Sequence, residues 1–145
     1  MSNPVSVVLD WGSKLQIQSI GLRYEVLRRP LGLFFSPSEL AEEENQINIA
    51  VVKGDRVLAV LLLKILEGNV AKMRQVAVSA SFQGQGLGKQ LVRFSEELCR
   101  QKNVIRIELH ARKTAIPFYL SLGYEAEGPE FEEVGIPHRK MYLEL

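Results

Sequence analysis

Apolar and polar residues alternate in several short runs of this chain, and alternation with a period of two predicts β-strands. The first run, "VSVVLD", begins at Val5, and residues 46–66 form two β-rich runs on either side of "KGDR", a typical hairpin turn. Residues 69–78, "NVAKMRQVAV", predict a strand with positions 73, 75 and 77 on one face and positions 74, 76 and 78 on the other. "VIRIELHA", "YEAEG" and "HRKMYLEL" predict three more strands.

Apolar residues three or four positions apart predict helices between these strands. The first helix covers "KLQIQSIGLRYEVLRR", with Ser13 as a candidate N-cap, and it must end near Pro30. Residues 30–45 are expected to form a loop with one helical turn at 38–43. We expect the acidic run of this loop to lie on the solvated surface.

Two further helices are predicted in the second half of the chain. One begins inside a glycine-rich stretch at Gly86 and runs for about four turns, because Leu87, Leu91 and Leu98 fall on one stripe. The other is the short segment "TAIPFYLSL", which Gly123 closes in a left-handed conformation. Strands and helices alternate, with hairpins near both ends, so the predicted fold class is mixed α/β (α+β).

The composition narrows the classes of function. The chain has 145 residues, 46% hydrophobic and 24% charged, which is ordinary for one globular domain over 1–145. A net charge of +1 leaves no broad basic surface for nucleic acid, and the most apolar run, "VLAVLLLKIL", is too short to cross a membrane. The lone Cys99 cannot form an internal disulfide and the start of the chain lacks a signal-peptide pattern, so we expect a cytoplasmic protein.

The stretch "SFQGQGLGKQLV" (81–92) joins a predicted strand to a predicted helix and contains three glycines. Such a turn exposes unpaired backbone N–H groups at the positive end of a helix dipole, where an anion such as phosphate binds. The phosphate loop of NTPases does not fit, because Gln83 and Gln90 stand where it needs a glycine and a hydroxyl. The dinucleotide fingerprint fails because Lys89 stands at a required glycine. Alternatively, the glycines only let the helix pack tightly on a strand.

A different pattern, Q/R-x-x-G-x-G/A, is met by Gln83, Gly86 and Gly88. This segment resembles the acetyl-CoA-binding motif of the GNAT superfamily of N-acetyltransferases. A second segment, "ARKTAIPFYLSLGYE", is similar to the A-x-x-F-Y-x-x-x-G-F/Y segment of that family, and the two motifs stand in the order that the family has. The tail "EVGIPHRKM" resembles the ElaA-like branch of the family.

The resemblance implies a fold and a co-substrate. The implied fold is a mixed, mostly antiparallel sheet of about six to seven strands flanked by about four helices, with two central strands splayed apart. The implied co-substrate is acetyl-CoA, with its pyrophosphate at the helix start and its pantetheine arm along the preceding strand. The coenzyme-binding residues that follow are Val76, Ala77, Val78, Gln83, Gly84, Gln85, Gly86, Leu87, Gly88, Lys89 and Phe118.

Acyl transfer to an amine needs a base for the amine, a donor to the oxyanion and an acid for the departing thiolate. Tyr119 matches the general acid of the family, although an aromatic residue there is also typical of a core. The resemblance places the oxyanion donor at a main-chain N–H near Val76. His110 and Glu108 are the first candidates for the base, and each is also typical of a surface strand. Further candidates near the tail are Glu132, Glu133 and His138.

Three polar positions depart from the expected pattern or have a second interpretation. Gln75 stands where some relatives carry a carboxylate, and Arg112 replaces an asparagine frequent in the family. Cys99 lies mid-helix without a neighbouring base, which favours a core residue over a nucleophile. The two histidines lack metal-ligand spacing, so no metal site is expected.

The sequence therefore predicts an N-acetyltransferase that moves acetyl from acetyl-CoA to the primary amine of a small molecule by direct attack. Two alternatives stay open: an acyl-CoA-binding regulatory module without turnover, and an acyltransferase that acts on a peptide N-terminus or uses a longer acyl group. Arg23, Arg28 and Arg29 either line the acceptor cleft and favour an acidic substrate, or are surface charges. The final strand is a candidate for pairing across a homodimer.

Overall fold

A seven-stranded sheet organises the fold in the computed structural model, which describes residues 3–145. The strands are β1 (Val5–Val8), β2 (Ile47–Lys53), β3 (Arg56–Leu66), β4 (Val70–Val78), β5 (Arg106–Arg112), β6 (Glu125–Glu133) and β7 (Ile136–Glu144). The helices are α1 (Lys14–Arg23), α2 (Pro37–Glu42), α3 (Leu87–Gln101) and α4 (Ile116–Ser121). The strand order is β1-β2-β3-β4-β5-β7-β6, and every neighbouring pair is antiparallel except β4 and β5. The predicted mixed, mostly antiparallel fold class is confirmed.

Helices cover both faces of the sheet. On one face, α1 and the turn that follows it pack Leu15, Leu22 and Leu27 against a buried cluster from β2, β3 and β4. On the other face, α3 and α4 pack on a larger cluster that includes Leu91 and Tyr119. Residues 57–63 of β3 are therefore all buried, as expected for a central strand with helices on both sides.

The first helix begins at the predicted N-cap, but its last turns are not α-helical as predicted. The Ser13 hydroxyl accepts a hydrogen bond from the backbone N–H of Gln16 at 3.2 Å, which is the expected N-cap. The chain then passes through a π-helical turn (Tyr24–Arg28) and a 3₁₀ turn (Arg29–Leu31), and Gly32 ends it in the left-handed conformation. The stop near Pro30 is confirmed, but the segment is not one regular α-helix, and its wide turn packs against β4.

The acidic loop is not wholly on the surface, so that prediction is wrong. Glu43 is buried and accepts two hydrogen bonds, at 2.8 and 2.7 Å, from the equally buried guanidinium of Arg23 at the end of α1. A buried arginine needs a charged partner because its desolvation is costly. The pair joins positions 20 residues apart in the chain, and no periodic pattern signals it.

A β-bulge at Gln75 interrupts β4. Gln75 has a positive φ of 57°, and the register against β3 shifts there, because Val60 pairs with Ala77 whereas Leu62 pairs with Arg74. The bulge reverses the side-chain alternation, so Met73 packs with α3 and α4 whereas Ala77 packs on the α1 side. The prediction that positions 73, 75 and 77 share one face is therefore wrong.

The bulge coincides with the point where the two parallel strands separate. β4 and β5 pair from Val70↔Arg106 to Met73↔Leu109 and no further, although both strands continue. The predicted splay of two central strands is confirmed. It leaves the backbone of residues 74–78 without a strand partner on the β5 side.

The final strand lies inside the sheet. β7 pairs with β5 on one side and with β6 on the other, so both of its edges are already hydrogen-bonded. The prediction that it could pair across a dimer is wrong, and the open edges of the sheet belong to β1 and β6. Within residues 3–145, each helix is too short or too polar to span a membrane.

Candidate active site

The splay between β4 and β5 opens a cavity of about 340 Å³. It begins on the α1 side of the sheet, where Leu27 and Arg28 form one wall, and it reaches Tyr119, which belongs to the core on the opposite side. The remaining residues of the lining are Lys72, Met73, Arg74, Gln75, Val76, Leu109, His110, Ala111, Arg112, Ala115, Glu133, Val134 and His138. A ligand in this cavity can therefore contact groups from both faces of the sheet.

Tyr119 places a phenol at the inner end of the cavity. Its side chain is 4% exposed and packs edge-on against Phe118 and Tyr124, with ring centroids 5.0 and 5.6 Å apart. Burial raises the pKa of the Tyr119 phenol well above its ordinary value, because a buried phenolate would lose its hydration. The hydroxyl therefore keeps its proton throughout the neutral range and is available as an acid.

His110 lines the same cavity and is oriented by a carboxylate. Its Nδ1 lies 3.0 Å from Oε1 of Glu133, and the ring packs edge-on against Phe131. Burial alone would raise the pKa of Glu133, but the hydrogen bond to His110 and the charges of His110 and His138 outweigh it and lower that pKa. Glu133 is thus ionised at neutral pH and accepts a hydrogen bond from Nδ1–H of His110, so the neutral form of this ring has its lone pair on Nε2.

The structure does not bring every base candidate to the cavity. Glu108 lies on the same face of β5 as His110, but it forms ion pairs with Arg106 at 3.1 Å and Lys140 at 3.6 Å and is absent from the lining. Glu132 is exposed and also lies outside the lining. His138 and Glu133 do reach it, with Nε2 of His138 lying 3.6 Å from Oε2 of Glu133.

The start of α3 has free backbone donors. Gly86 is its N-cap with a φ of 80°, and no side chain of residues 3–145 caps it, whereas Ser13 and Ser36 cap α1 and α2. Helix geometry leaves the N–H groups of the first turn without intrahelical acceptors. A Cβ atom at Gly84 or Gly86 would meet nothing within 4 Å, so these glycines are not needed for close packing. They allow the chain to adopt a positive φ, and they leave the space in front of the helix open.

Two other residues of the glycine motif, Gly88 and Gln83, have structural contacts of their own. A Cβ atom on Gly88 would lie 3.3 Å from Cζ of Phe118, so Gly88 allows α3 to pack closely on α4. The same Cβ atom would lie 3.6 Å from Cγ2 of Val78 on β4, so the alternative of tight packing on a strand applies to this one glycine. The side-chain amide of Gln83 donates to the carbonyl oxygen of Val78 at 3.2 Å and ties the loop to the end of β4.

Sequence reasoning missed part of the basic wall of the cavity. Lys72 and Arg74 line it, and their alternation around the buried Met73 was the available signal. Of the three arginines near the first helix, only Arg28 reaches the cavity. Arg23 is paired with Glu43, and the side chain of Arg29 is 66% exposed and pairs with Glu25.

The surroundings of Cys99 do not suit a nucleophile. It is fully buried in the core under α3, and burial, with a smaller contribution from Glu96, raises the pKa of its thiol to about 11. At neutral pH the thiol is protonated and enclosed by apolar side chains, which makes it a small core residue.

Comparison with known proteins places these features in one family. The family model described as an acetyltransferase (GNAT) domain matches residues 33–145. A Bacillus subtilis protein named YyaT is 36% identical over 78 residues, 54% of this chain and 53% of that protein. The chain spans about half the length of the first curated relatives it matches.

Solved structures of other proteins share the fold of this chain over nearly its whole length. Escherichia coli ElaA superposes with a TM-score of 0.83 at 21% identity, covering 98% of this chain and 100% of that chain. A Bacillus subtilis acetyltransferase in complex with CoA superposes with a TM-score of 0.75 at 20% identity, covering 99% of both chains. At these identities the likeness shows the fold.

Proposed function

Since this chain belongs to the acetyltransferase (GNAT) domain family, we propose that it is an acyltransferase that moves an acetyl group from acetyl-CoA to the primary amine of a small molecule. The observation that carries this proposal is that the cavity at the strand splay is lined by both Tyr119 and His110. An acid and a base at one cavity are what amide formation from a thioester requires.

The coenzyme site we propose combines the open helix start and the unpaired strand edge. The free N–H groups of residues 85–89 would hold the pyrophosphate, and the dipole of α3 favours its negative charge. The exposed backbone of residues 76–78 would pair with the amide-rich pantetheine arm in the gap that β5 leaves. The CoA bound to the Bacillus subtilis neighbour of the same fold supports this assignment. When bound, acyl-CoA supplies the acyl group as a thioester with a thiol leaving group.

The chain's own groups would then move the protons. Nε2 of His110 takes a proton from the acceptor amine, directly or through water, while Glu133 holds the ring in the required tautomer. The Tyr119 hydroxyl donates its proton to the departing thiolate. A main-chain N–H at the bulge, near Val76, stabilises negative charge on the carbonyl oxygen. The amine attacks directly, because the one thiol of the chain, Cys99, lies in the core.

An acceptor screen with detection of free CoA thiol tests the proposed function. We expect acetyl-CoA to release thiol in the presence of at least one class of small primary amine and not in its absence. Parallel arms with peptide N-termini and with longer acyl-CoA chains separate the other acyltransferase activities. Saturable acetyl-CoA binding without thiol release in any arm would contradict turnover and favour a regulatory module.

His110→Gln is expected to lower kcat/KM about tenfold at pH 7. At that pH the acceptor amine is mostly protonated, and the variant lacks the base that would remove its proton. The deficit should shrink as the pH approaches the pKa of the amine, where the neutral amine forms without help. Steady-state pH profiles measure this. Glu108→Gln, on the same strand face but outside the cavity, is the matched control and should keep the native profile. A deficit that stays constant with pH would contradict the role of His110 as base.

A further inference from the structure

Four basic side chains from three separate elements converge on the acceptor side of the cavity. Lys72 and Arg74 of β4 and Arg112 of β5 lie on the sheet face that carries α1, because Met73, Leu109 and Ala111 between them pack into the core on the other face. Arg28 joins them from the π-helical turn. We call Arg28, Lys72, Arg74 and Arg112 the basic cluster.

We propose that the acceptor amine carries an anionic group, a carboxylate or a phosphate, which binds to the basic cluster. This inference rests on the proposed function and adds the chemical class of its acceptor. It assigns the cluster to substrate selection, a step separate from the proton transfers at Tyr119 and His110.

Few carboxylates reach the basic cluster inside the cavity. Glu133 is the one acidic residue of the described lining, and His110 and His138 both contact it. Glu43 is held by Arg23 in the buried bidentate pair. Glu39 approaches Arg28 only to 4.0 Å and has a half-exposed side chain. Inside the cavity, four cations therefore face one engaged carboxylate, whereas Glu39, Glu42 and Glu43 line the adjoining groove that Arg28, Lys72 and Arg74 also reach. An anion added inside the cavity would relieve the mutual repulsion of the four cations.

Neutral groups hold the arginines in place. Arg112 donates to the carbonyl oxygen of Leu27 at 2.9 Å, and Arg74 donates to the side-chain oxygen of Gln46 at 2.7 Å. The Arg28 guanidinium lies 4.6 Å from the centre of the Phe35 ring. These contacts fix the side chains without neutralising them, and guanidinium groups held in this way are suited to paired hydrogen bonds with a carboxylate or phosphate.

Two further observations agree with an incoming zwitterion. Burial, and next the charge of Arg28, lower the pKa of the Arg112 guanidinium, so Arg28 and Arg112 lie close enough for their charges to repel. Oε1 of Gln75, at the bulge, is buried and accepts no hydrogen bond from any residue of 3–145. Gln75 lines both this cavity and an adjoining groove of about 540 Å³, so a polar atom without a partner lies beside the space that the acceptor would occupy.

Matched pairs of amines test the inference. 4-Aminobutyrate is compared with butylamine, and 2-aminoethyl phosphate with ethanolamine, in the thiol-release assay. We expect kcat/KM to favour the anionic member of at least one pair by about tenfold or more. The pair that shows the preference distinguishes a carboxylate from a phosphate. Thiol release from the neutral amines at equal or greater efficiency would overturn the inference while leaving the proposed function intact.

Two variants test whether the basic cluster causes the preference for anionic amines. Arg28→Gln should raise the KM of the preferred anionic amine about tenfold, with no change in kcat or in the KM of its neutral partner. Arg29→Gln is the matched control, since Arg29 is the next residue but faces solvent, and it should change neither KM. Equal changes for both members of the pair would overturn the inference.

A binding measurement separates the two proposals if no amine releases thiol. Calorimetric titration of each amine pair into CoA-saturated protein then replaces turnover. Binding of the anionic member alone, lost in Arg28→Gln and kept in Arg29→Gln, would support the anion site although the proposed function had failed. Binding of neither member, or of both equally, would overturn the anion site.

Discussion

Tyr119→Phe should lower kcat about 10²-fold or more while leaving the affinity for acetyl-CoA nearly unchanged. The substitution removes one hydroxyl and keeps the ring that packs against Phe118 and Tyr124, so the core loses little. Loss of a positioned general acid typically costs a factor of this size. Thiol release gives kcat, and calorimetry gives the dissociation constant of acetyl-CoA.

Tyr124→Phe is the matched control. The Tyr124 hydroxyl is also buried, but it donates to Glu96 at 2.9 Å and lies outside the cavity lining. Removal of this hydroxyl leaves the buried carboxylate of Glu96 with one hydrogen bond fewer, so the free energy of unfolding should fall by about 1–3 kcal/mol. The value of kcat should not change. If Tyr119→Phe kept the native kcat, or if both variants lost rate in parallel, Tyr119 would have no role as the acid.

Gly86→Val should weaken acetyl-CoA binding roughly 10- to 100-fold. The residue has a φ of 80°, and a β-branched side chain in that conformation costs on the order of 1–3 kcal/mol. A valine would therefore shift the chain away from the conformation that presents the first N–H groups of α3. Its side chain would also enter the open space in front of the helix. Calorimetric titration with acetyl-CoA measures the change.

Gly12→Val separates general strain from loss of the coenzyme site. Gly12 has a φ of 79° and equally open surroundings, and it lies in the turn before α1, outside the cavity lining. It should lose comparable stability and keep the native affinity for acetyl-CoA. Equal affinity in Gly86→Val and the native protein would contradict the proposed pyrophosphate site.

Local patterns were sufficient to predict most of the fold. The hairpin at residues 53–56, the serine cap of α1 and the glycine that opens α3 depend on neighbours a few positions away, and the structure has all three. The order of two motifs along the chain was enough to identify the family. Tyr119 and His110 belong to segments whose type and face could be predicted, and the splay brings both to one cavity.

Contacts between distant segments could not be predicted. The buried pair of Arg23 and Glu43 and the contact of His110 with Glu133 each join side chains at least 20 residues apart. The bulge at Gln75 depends on the mismatch between β3 and β4, which the composition of β4 does not reveal. The basic cluster could not be predicted either, because it forms only where the turn following α1 lies over the splayed strands.

In the site we propose, the open start of α3 and the gap between β4 and β5 together hold acyl-CoA. Calorimetric titration of acetyl-CoA into the native protein tests it most directly. We expect saturable binding of one acetyl-CoA per chain, which weakens as salt is raised because the pyrophosphate is held partly by charge. Heats that do not saturate at any salt concentration would contradict it.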